Sequence, residues 1–118
     1  MTWPLRRANK YGAKVTVYGG VKFHSKKEAE FARSLDLMRH AQDVHERVDS
    51  WDGQVRIPIV VNGRKICDYI ADFLVRYADG RKELVEVKGF QTDVWRIKRK
   101  LLDATFFLDH PNINFRIV

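Results

Sequence analysis

The amino-acid sequence predicts an α/β domain: an N-terminal β-hairpin, a helix, a three-stranded antiparallel meander, a second helix and a closing parallel strand. Three observations predict this order. β-rich runs are separated by dipeptides typical of hairpin turns, at Gly19-Gly20, Asn62-Gly63 and Asp79-Gly80. Two other segments show helical periodicity, each opened by a capping residue. The 118 residues, of which 45% are hydrophobic, suffice for one core, so we expect a single domain over residues 15–118.

The composition indicates a polyanionic partner. Twenty-two Lys and Arg against fifteen Asp and Glu leave a net charge of +7, which favours nucleic acid or an acidic membrane surface. Neither predicted helix combines a wide apolar face with a continuous basic one, so a membrane role is disfavoured. No apolar run approaches the ~20 residues that span a bilayer, and no signal peptide is visible, so we expect a cytoplasmic protein. The single Cys67 excludes an internal disulfide and a cysteine-cluster zinc site, and no organic cofactor is indicated.

The first fourteen residues are a basic arm without periodicity, and they include Arg6, Arg7 and Lys10. The arm either lies along a phosphate backbone, where it would displace counterions, or is a frayed terminus that contacts nothing. Alternating apolar residues around two glycines then predict a hairpin over Val15–Phe23.

The first helix is opened by the capping-box pattern Ser25-Lys-Lys-Glu28 and is expected to reach about His40. Glu28 allows two interpretations. Its carboxylate either reaches back to the Ser25 N–H, or projects into a functional site, because Glu28 and Leu35 share the face that packs on the sheet. Residues 41–53 are polar and are interpreted as a loop or a short frayed helix.

Three strands follow, at roughly 54–61, 65–77 and 81–88, with Pro58 marking the first as an edge or bulged strand. The middle strand is apolar on both faces around Asp72, as a central strand should be. Glu86 and Lys88 interrupt the third strand on one face. Two carboxylates and an ammonium on adjacent buried strands are costly unless they pair or bind something. A divalent metal ion would meet that requirement.

The second helix is expected to begin at Thr92 or Asp93 and to end near Leu108. Its predicted buried stripe consists of Val94, Ile97, Leu101, Ala104 or Thr105, and Leu108. Its first half carries four cations: Arg96, Lys98, Arg99 and Lys100. They form either a solubilising surface or a contact with a phosphate backbone, and the second interpretation is favoured for Arg96 and Lys100. A last strand over 113–118 should return parallel to the third.

These residues carry a resemblance to a known superfamily. Asp72, followed after thirteen residues by Glu86-Val87-Lys88, resembles the Asp…(Asp/Glu)-x-Lys signature of the PD-(D/E)xK, or restriction-endonuclease-like, nucleases. A small family of phage and prophage proteins in that superfamily is similar over Tyr18 to Leu102. The similar segments are Phe23–Glu30, Tyr69–Phe73, Glu86–Gly89, Thr92 and Arg96-x-Lys-x-Lys100. The resemblance implies a restriction-endonuclease-like core.

The resemblance also implies an activity, that of a Mg²⁺-dependent deoxyribonuclease in which Mn²⁺ substitutes. Asp72 and Glu86 would be the metal ligands, joined by Glu28, directly or through water, and by the carbonyl of Val87. Lys88 would hold or polarise the attacking water. Gln54 and His24 are weaker candidates for the edge of this site.

The sequence does not fix the substrate, the oligomeric state or the class of function. The phage setting of the family makes branched recombination or replication intermediates, including four-way junctions, the leading substrates, by analogy alone. Paired cuts would require a homodimer of so small a chain. The alternatives are an inactive or accessory DNA-binding protein, or a subunit of a recombination or transposition complex.

Overall fold

The protein is a mixed α/β fold with two β-sheets, and this computed structural model describes residues 16–87 and 89–118. Its elements, in chain order, are β1 (Thr16–Tyr18), β2 (Val21–Phe23), α1 (Lys26–Met38), β3 (Val48–Val61), β4 (Arg64–Tyr77), β5 (Lys82–Glu86), α2 (Asp93–Ala104), α3 (Phe106–Asp109) and β6 (Ile113–Ile117). In the described part of the chain, no helix has the length and apolar character needed to cross a membrane.

The larger sheet has the strand order β3-β4-β5-β6. Its first three strands form an antiparallel meander, and β6 lies parallel to β5, with Glu86 opposite Ile117. β1 and β2 pair separately as the predicted hairpin. The predicted mixed α/β class and order of elements are therefore confirmed, and β3 is an edge strand, as Pro58 indicated.

Helix α1 begins as the capping pattern predicts. The Ser25 hydroxyl accepts a hydrogen bond from the Glu28 N–H at 3.1 Å. Ala29, Ala32 and Leu35 are buried on the face toward the sheet. This spacing places the inward face of α1 over β3 and β4, and Glu28 lies at its N-terminal end.

The prediction of a loop or frayed helix over residues 41–53 is wrong at its C-terminal end, because β3 already begins at Val48. Side chains at the C-terminal end of this segment contact side chains of β4. Asp52 forms an ion pair with Arg76 of β4 at 2.7 Å, and Trp51 packs edge-on against Phe73. A register shift after Val48 also interrupts the alternation by which a strand is recognised.

Strands β3 and β4 change the side they present to the core in the middle of their lengths. Trp51 and Phe73 pack in the cluster that contains α1, whereas Val55, four residues after Trp51, and Ala71, two residues before Phe73, pack in the cluster that contains α2. In a regular strand, residues two and four apart share a face. The switch coincides with Gln54, whose φ is 54°. Left-handed backbone is uncommon for a residue with a side chain and reorients the strand.

The predicted buried stripe of α2 is wrong for Val94, Ile97 and Leu108 and right for Leu101, which packs against the core. Val94 and Ile97 are 62% and 59% exposed, and the helix faces the sheet with Trp95 and Leu102 instead. Arg99 explains the difference: its guanidinium lies 3.7 Å from the ring centroid of Phe115, so this charged residue belongs to the packed side of the helix. A pattern that considers only apolar side chains assigns Arg99 to the solvent-exposed side of α2. It therefore predicts that the wrong face of the helix is buried.

The single helix expected to reach Leu108 is interrupted at Thr105. The backbone there has φ −125° and ψ −78°, and the Thr105 hydroxyl donates to the Leu101 carbonyl at 2.7 Å. A Ser or Thr side chain that binds the preceding turn competes with the helical hydrogen-bond pattern. α2 consequently ends at Ala104, and α3 adds one further turn.

Candidate active site

An acidic cavity of about 330 Å³ lies where the centre of the sheet meets the N-terminal ends of α1 and α2. Three carboxylates line it, each from a different element: Glu28 from α1, Asp72 from β4 and Glu86 from β5. Glu28 and Asp72 are each only 8% exposed. Gathering three carboxylates in one cavity is costly unless a cation or hydrogen bonds compensate, so this grouping requires a physical explanation.

The β4–β5 hairpin brings Asp72 and Glu86 together. Phe73 of β4 pairs with Val85 of β5, and the two strands are antiparallel. Asp72, which precedes Phe73, therefore lies opposite Glu86, which follows Val85. Asp72 Oδ2 accepts a hydrogen bond from the Val87 N–H at 2.8 Å, which fixes the carboxyl group in the cavity. Of the predicted site residues, Asp72, Glu86, Val87 and Glu28 therefore line one cavity.

Glu86 is held by a tyrosine on the central strand. The hydroxyl of Tyr69, which is buried, donates to Glu86 Oε2 at 3.0 Å. The Glu86 carbonyl accepts from the Val118 N–H at 3.0 Å, so the strand pairing with the end of β6 continues to this residue. Both the backbone and the side chain of Glu86 are thus positioned by the sheet.

The side chain of Glu28 extends toward Gln54. Gln54 Nε2 donates to Glu28 Oε2 at 3.3 Å, and both residues line the cavity. Of the two interpretations of Glu28, the contact with Gln54 accords with a carboxylate directed into the site, while Ser25 caps the helix through its own hydroxyl. The strained residue Gln54 is therefore in direct contact with the acidic cluster.

Crowding raises the proton affinity of the two central acids. Burial raises the pKa of Asp72 to about 8, and the negative charges of Glu86 and Glu28 add to the effect. Burial likewise raises the pKa of Glu86 to about 7, with a contribution from Glu28, while the hydrogen bond from Tyr69 opposes it. Like charges in a low-dielectric cavity cannot all ionise at little cost, so the pair retains a proton near neutral pH.

Asp72 and Glu86 are the side chains of the cavity that could hold a hard divalent cation. Within residues 16–87 and 89–118, no group of three or more His, Cys, Asp or Glu side chains is placed so that it could hold a metal ion. Mg²⁺ does not require one, because it is commonly held by one or two carboxylates with water and substrate oxygens completing its octahedron. One oxygen of Asp72 and one of Glu86 already receive hydrogen bonds, and a cation would offset the repulsion in the cavity.

Several predicted residues are not tested by this geometry. Lys88 and the arm residues Arg6, Arg7 and Lys10 lie outside the described residues. The predicted nucleic-acid contacts of Arg96, Lys98 and Lys100 fall on α2, where Lys98 donates to the Asp68 carbonyl at 3.0 Å and Arg96 pairs with Asp93 at 3.0 Å.

Sequence reasoning missed Tyr69 and Trp95 as parts of the site. Tyr69 is three residues from Asp72, which in a regular strand would place it on the opposite face, and only the change of side near Asp72 brings its hydroxyl to Glu86. Trp95 lines the cavity, and its buried Nε1 makes no well-formed hydrogen bond within the described part of the chain. It nevertheless lies close enough to lower the pKa of Glu86.

Comparison with known proteins identifies a family without assigning a function. A family model described as a protein of unknown function (DUF1064) matches residues 8–116. No curated protein and no solved structure matches the chain. The match covers every described helix and nearly all of the larger sheet, including each acid of the cavity. The chain therefore belongs to the DUF1064 family.

Proposed function

We propose that this protein is a metal-dependent deoxyribonuclease with a restriction-endonuclease-like core. The observation that carries the proposal is the pair formed by the buried Asp72 and the partly buried Glu86, with the buried Glu28 as a third carboxylate in the same cavity. A protein that gains nothing from this arrangement would be more stable with neutral side chains there. The order of helix, meander, helix and parallel strand is the second support, since the resemblance of the motif implies the same order.

The proposed reaction is hydrolysis of a phosphodiester. A water oxygen forms a bond to phosphorus, the bond to the 3′ oxygen breaks, and the products carry a 5′-phosphate and a 3′-hydroxyl. Mg²⁺, or Mn²⁺ in its place, supplies charge neutralisation at the phosphate and at the departing oxygen when bound. Asp72 and Glu86 hold the ion, with Glu28 as a ligand directly or through water and the Val87 carbonyl as a further oxygen.

The remaining groups position the reactants. Tyr69 fixes the orientation of the Glu86 carboxylate, and the Val87 N–H fixes that of Asp72. Lys88, as the resemblance implies, holds or polarises the attacking water and stabilises the charge that develops on phosphorus. Arg96 and Lys100, both exposed on α2, neutralise neighbouring phosphates.

The setting implied by the resemblance extends the proposal. Branched recombination or replication intermediates are the proposed substrates, two copies of the chain make the paired cuts, and the reaction takes place in the cytoplasm. The net charge of +7 supports a nucleic-acid partner in general and does not select among DNA structures.

A cleavage assay tests the proposed activity. Labelled single-stranded, duplex, flap and four-way-junction DNAs are incubated with the protein and Mg²⁺, Mn²⁺ or EDTA. We expect metal-dependent cleavage that falls at least a hundredfold in Lys88→Ala and in Asp72→Asn, as for removal of a principal transition-state contact. Glu28→Gln tests the third carboxylate of the cavity. Its matched control is Glu30→Gln, because Glu30 is an exposed acid on the same helix. Equal activity of the natural chain and Asp72→Asn would contradict the proposal.

The second candidate is a DNA-binding protein without nuclease activity. The lack of a complete metal-binding set within residues 16–87 and 89–118 is the observation in its favour. It predicts that DNA binding persists in EDTA, that no DNA is cleaved under any metal condition, and that Asp72→Asn leaves function intact.

A further inference from the structure

The acidic cavity has one apolar wall. Ile70 and Phe90 line the cavity together with Trp95, and Phe90 is 71% exposed. Contact with water is unfavourable for a side chain of this size, by roughly 25 cal/mol per Å² of exposed apolar surface. Coordination of a metal ion and a phosphate uses only polar groups, so this wall is not explained by the reaction itself.

Two further apolar side chains are exposed on α2. Val94 and Ile97 are three residues apart, hence on one face of the helix, and both are largely exposed. We call these three exposed residues, Phe90 at the cavity and Val94 and Ile97 on the first turns of α2, the apolar strip, and Arg96 and Lys100 are exposed on the same helix.

We propose that the apolar strip binds unpaired nucleotides next to the phosphate held in the cavity, with a base stacked on Phe90. This inference rests on the proposed nuclease function, and it deepens that function by naming the feature of the substrate that is recognised. In a paired duplex the faces of the bases are covered by their neighbours, so an exposed aromatic ring can stack only on a base that has left the helix. The cations beside the strip neutralise the backbone of the same strand.

Charge decides between a nucleic acid and a second protein molecule as the occupant. Two copies that met through this strip would bring Arg96 and Lys100 of one copy close to the same residues of the other. Because each copy carries a net charge of +7, the two would repel each other. A polyanion instead gains from the same cations and adds apolar base surface opposite Phe90. Phe90 itself lines the cavity, so a base stacked on its ring would lie next to the carboxylates.

The inference is tested by binding in EDTA, where no cleavage can occur. Fluorescence anisotropy is measured with a single-stranded oligonucleotide, a flap and a duplex of equal length. We expect Phe90→Ala to weaken binding of the first two roughly tenfold and to leave the duplex unchanged, whereas Phe90→Tyr retains binding. Quenching of 2-aminopurine in the single strand should be lost in the same variant. Leu37→Ala is the matched control, because Leu37 is 69% exposed on α1 and does not line the cavity.

Two results would overturn the inference. The first is equal binding of single-stranded and duplex DNA by the natural chain, with no effect of Phe90→Ala on either. The second is dissociation of a dimer in sedimentation caused by Phe90→Ala without any change in oligonucleotide binding, which would make the strip a self-association surface. The fates of the two proposals are separable. Single-strand binding that depends on Phe90 in a protein that cleaves nothing rejects the nuclease alone, and cleavage indifferent to Phe90 rejects only the stacking site.

Discussion

Asp36 and Asp72, two aspartates with restricted access to solvent, have surroundings that are opposite in character. Asp36 on α1 accepts hydrogen bonds from the Tyr18 hydroxyl at 2.6 Å and the Trp51 indole at 2.7 Å. The bond from Tyr18, followed by that from Trp51, lowers the pKa of Asp36. Asp72 receives one backbone donor and lies beside two further acids, and its pKa is raised.

The comparison distinguishes a carboxylate that stabilises the fold from one that the fold merely accommodates. Asp36 joins the hairpin, α1 and β3 through hydrogen bonds to its charged form, so its ionisation contributes to stability. Ionisation of Asp72 destabilises the folded state, so the presence of an aspartate at this position requires a reason other than stability. Residues that are costly in the absence of a ligand are characteristic of functional sites.

The largest effect on the free energy of unfolding is expected from a substitution at Asp72. A carboxyl with a raised pKa keeps its proton in the folded state at pH values where the unfolded chain, with a pKa near ~4, has lost it. The contribution of Asp72 to stability is then most favourable below pH ~4 and declines as the pH rises toward the folded pKa of about 8. We expect Asp72→Asn to be more stable than the natural chain at pH 8 by on the order of 3 kcal/mol, because the amide still accepts from the Val87 N–H without carrying charge.

Urea unfolding in EDTA between pH 4.5 and 8.5 measures this effect. The gain should diminish toward the acid end of the range, and saturating Mg²⁺ should restore part of the stability of the natural chain alone. Asp49→Asn, at an exposed position of β3, serves as the control. A natural chain whose stability rises over this pH range would show that Asp72 is not strained by its neighbours.

The next largest effect is expected at Asp36. Replacement by Ala removes the acceptor of two side-chain donors, and we expect a loss of about 2 kcal/mol in the free energy of unfolding at pH 7. Cleavage per folded molecule should not change, since Asp36 does not line the acidic cavity. Glu30→Ala on the same helix should change stability by less than about 0.5 kcal/mol. Asp36→Ala would contradict the comparison if it were as stable as the natural chain.

The smallest effect compares two tyrosines of β4. Tyr69 donates to Glu86 and Tyr77 donates to Glu83, each at 3.0 Å, so loss of either hydroxyl should cost about 1 kcal/mol of stability. Only Tyr69→Phe should raise the pKa of Glu86 further, because the hydrogen bond from Tyr69 lowers it. We therefore expect Mn²⁺ affinity to fall roughly tenfold in Tyr69→Phe and to stay constant in Tyr77→Phe. Calorimetric titration provides the measurement, and equal affinities in both variants would assign Tyr69 a purely structural role.

Much of the fold and the central pair of the site followed from local chemistry. The glycines of the predicted turns have positive φ, including Gly63 at 77° and Gly80 at 93°. Once the turn at Gly80 is fixed, the register of the hairpin follows, and Asp72 must come to lie near Glu86. Short-range turn signals were therefore sufficient to predict that two acids meet on neighbouring strands.

The remainder of the site depends on contacts that are distant in sequence. The orientation of α2 follows from the packing of Arg99 on Phe115, which no local pattern reveals. The role of Tyr69 requires the change of side in β4, and that change is associated with the left-handed Gln54 on another strand. Glutamine is not a residue typical of that backbone conformation, so its sequence gives no warning.

The change of side at Gln54 has an evolutionary consequence. The interior has two clusters, one under α1 and one under α2, and at the level of Gln54 and Asp72 the strands β3 and β4 pass from one cluster to the other. Apolar residues within either cluster can be exchanged for others of similar volume with little effect on the other cluster. Substitutions at the boundary alter both clusters at once, so drift should be slowest there, and the acids stand where tolerance for change is least.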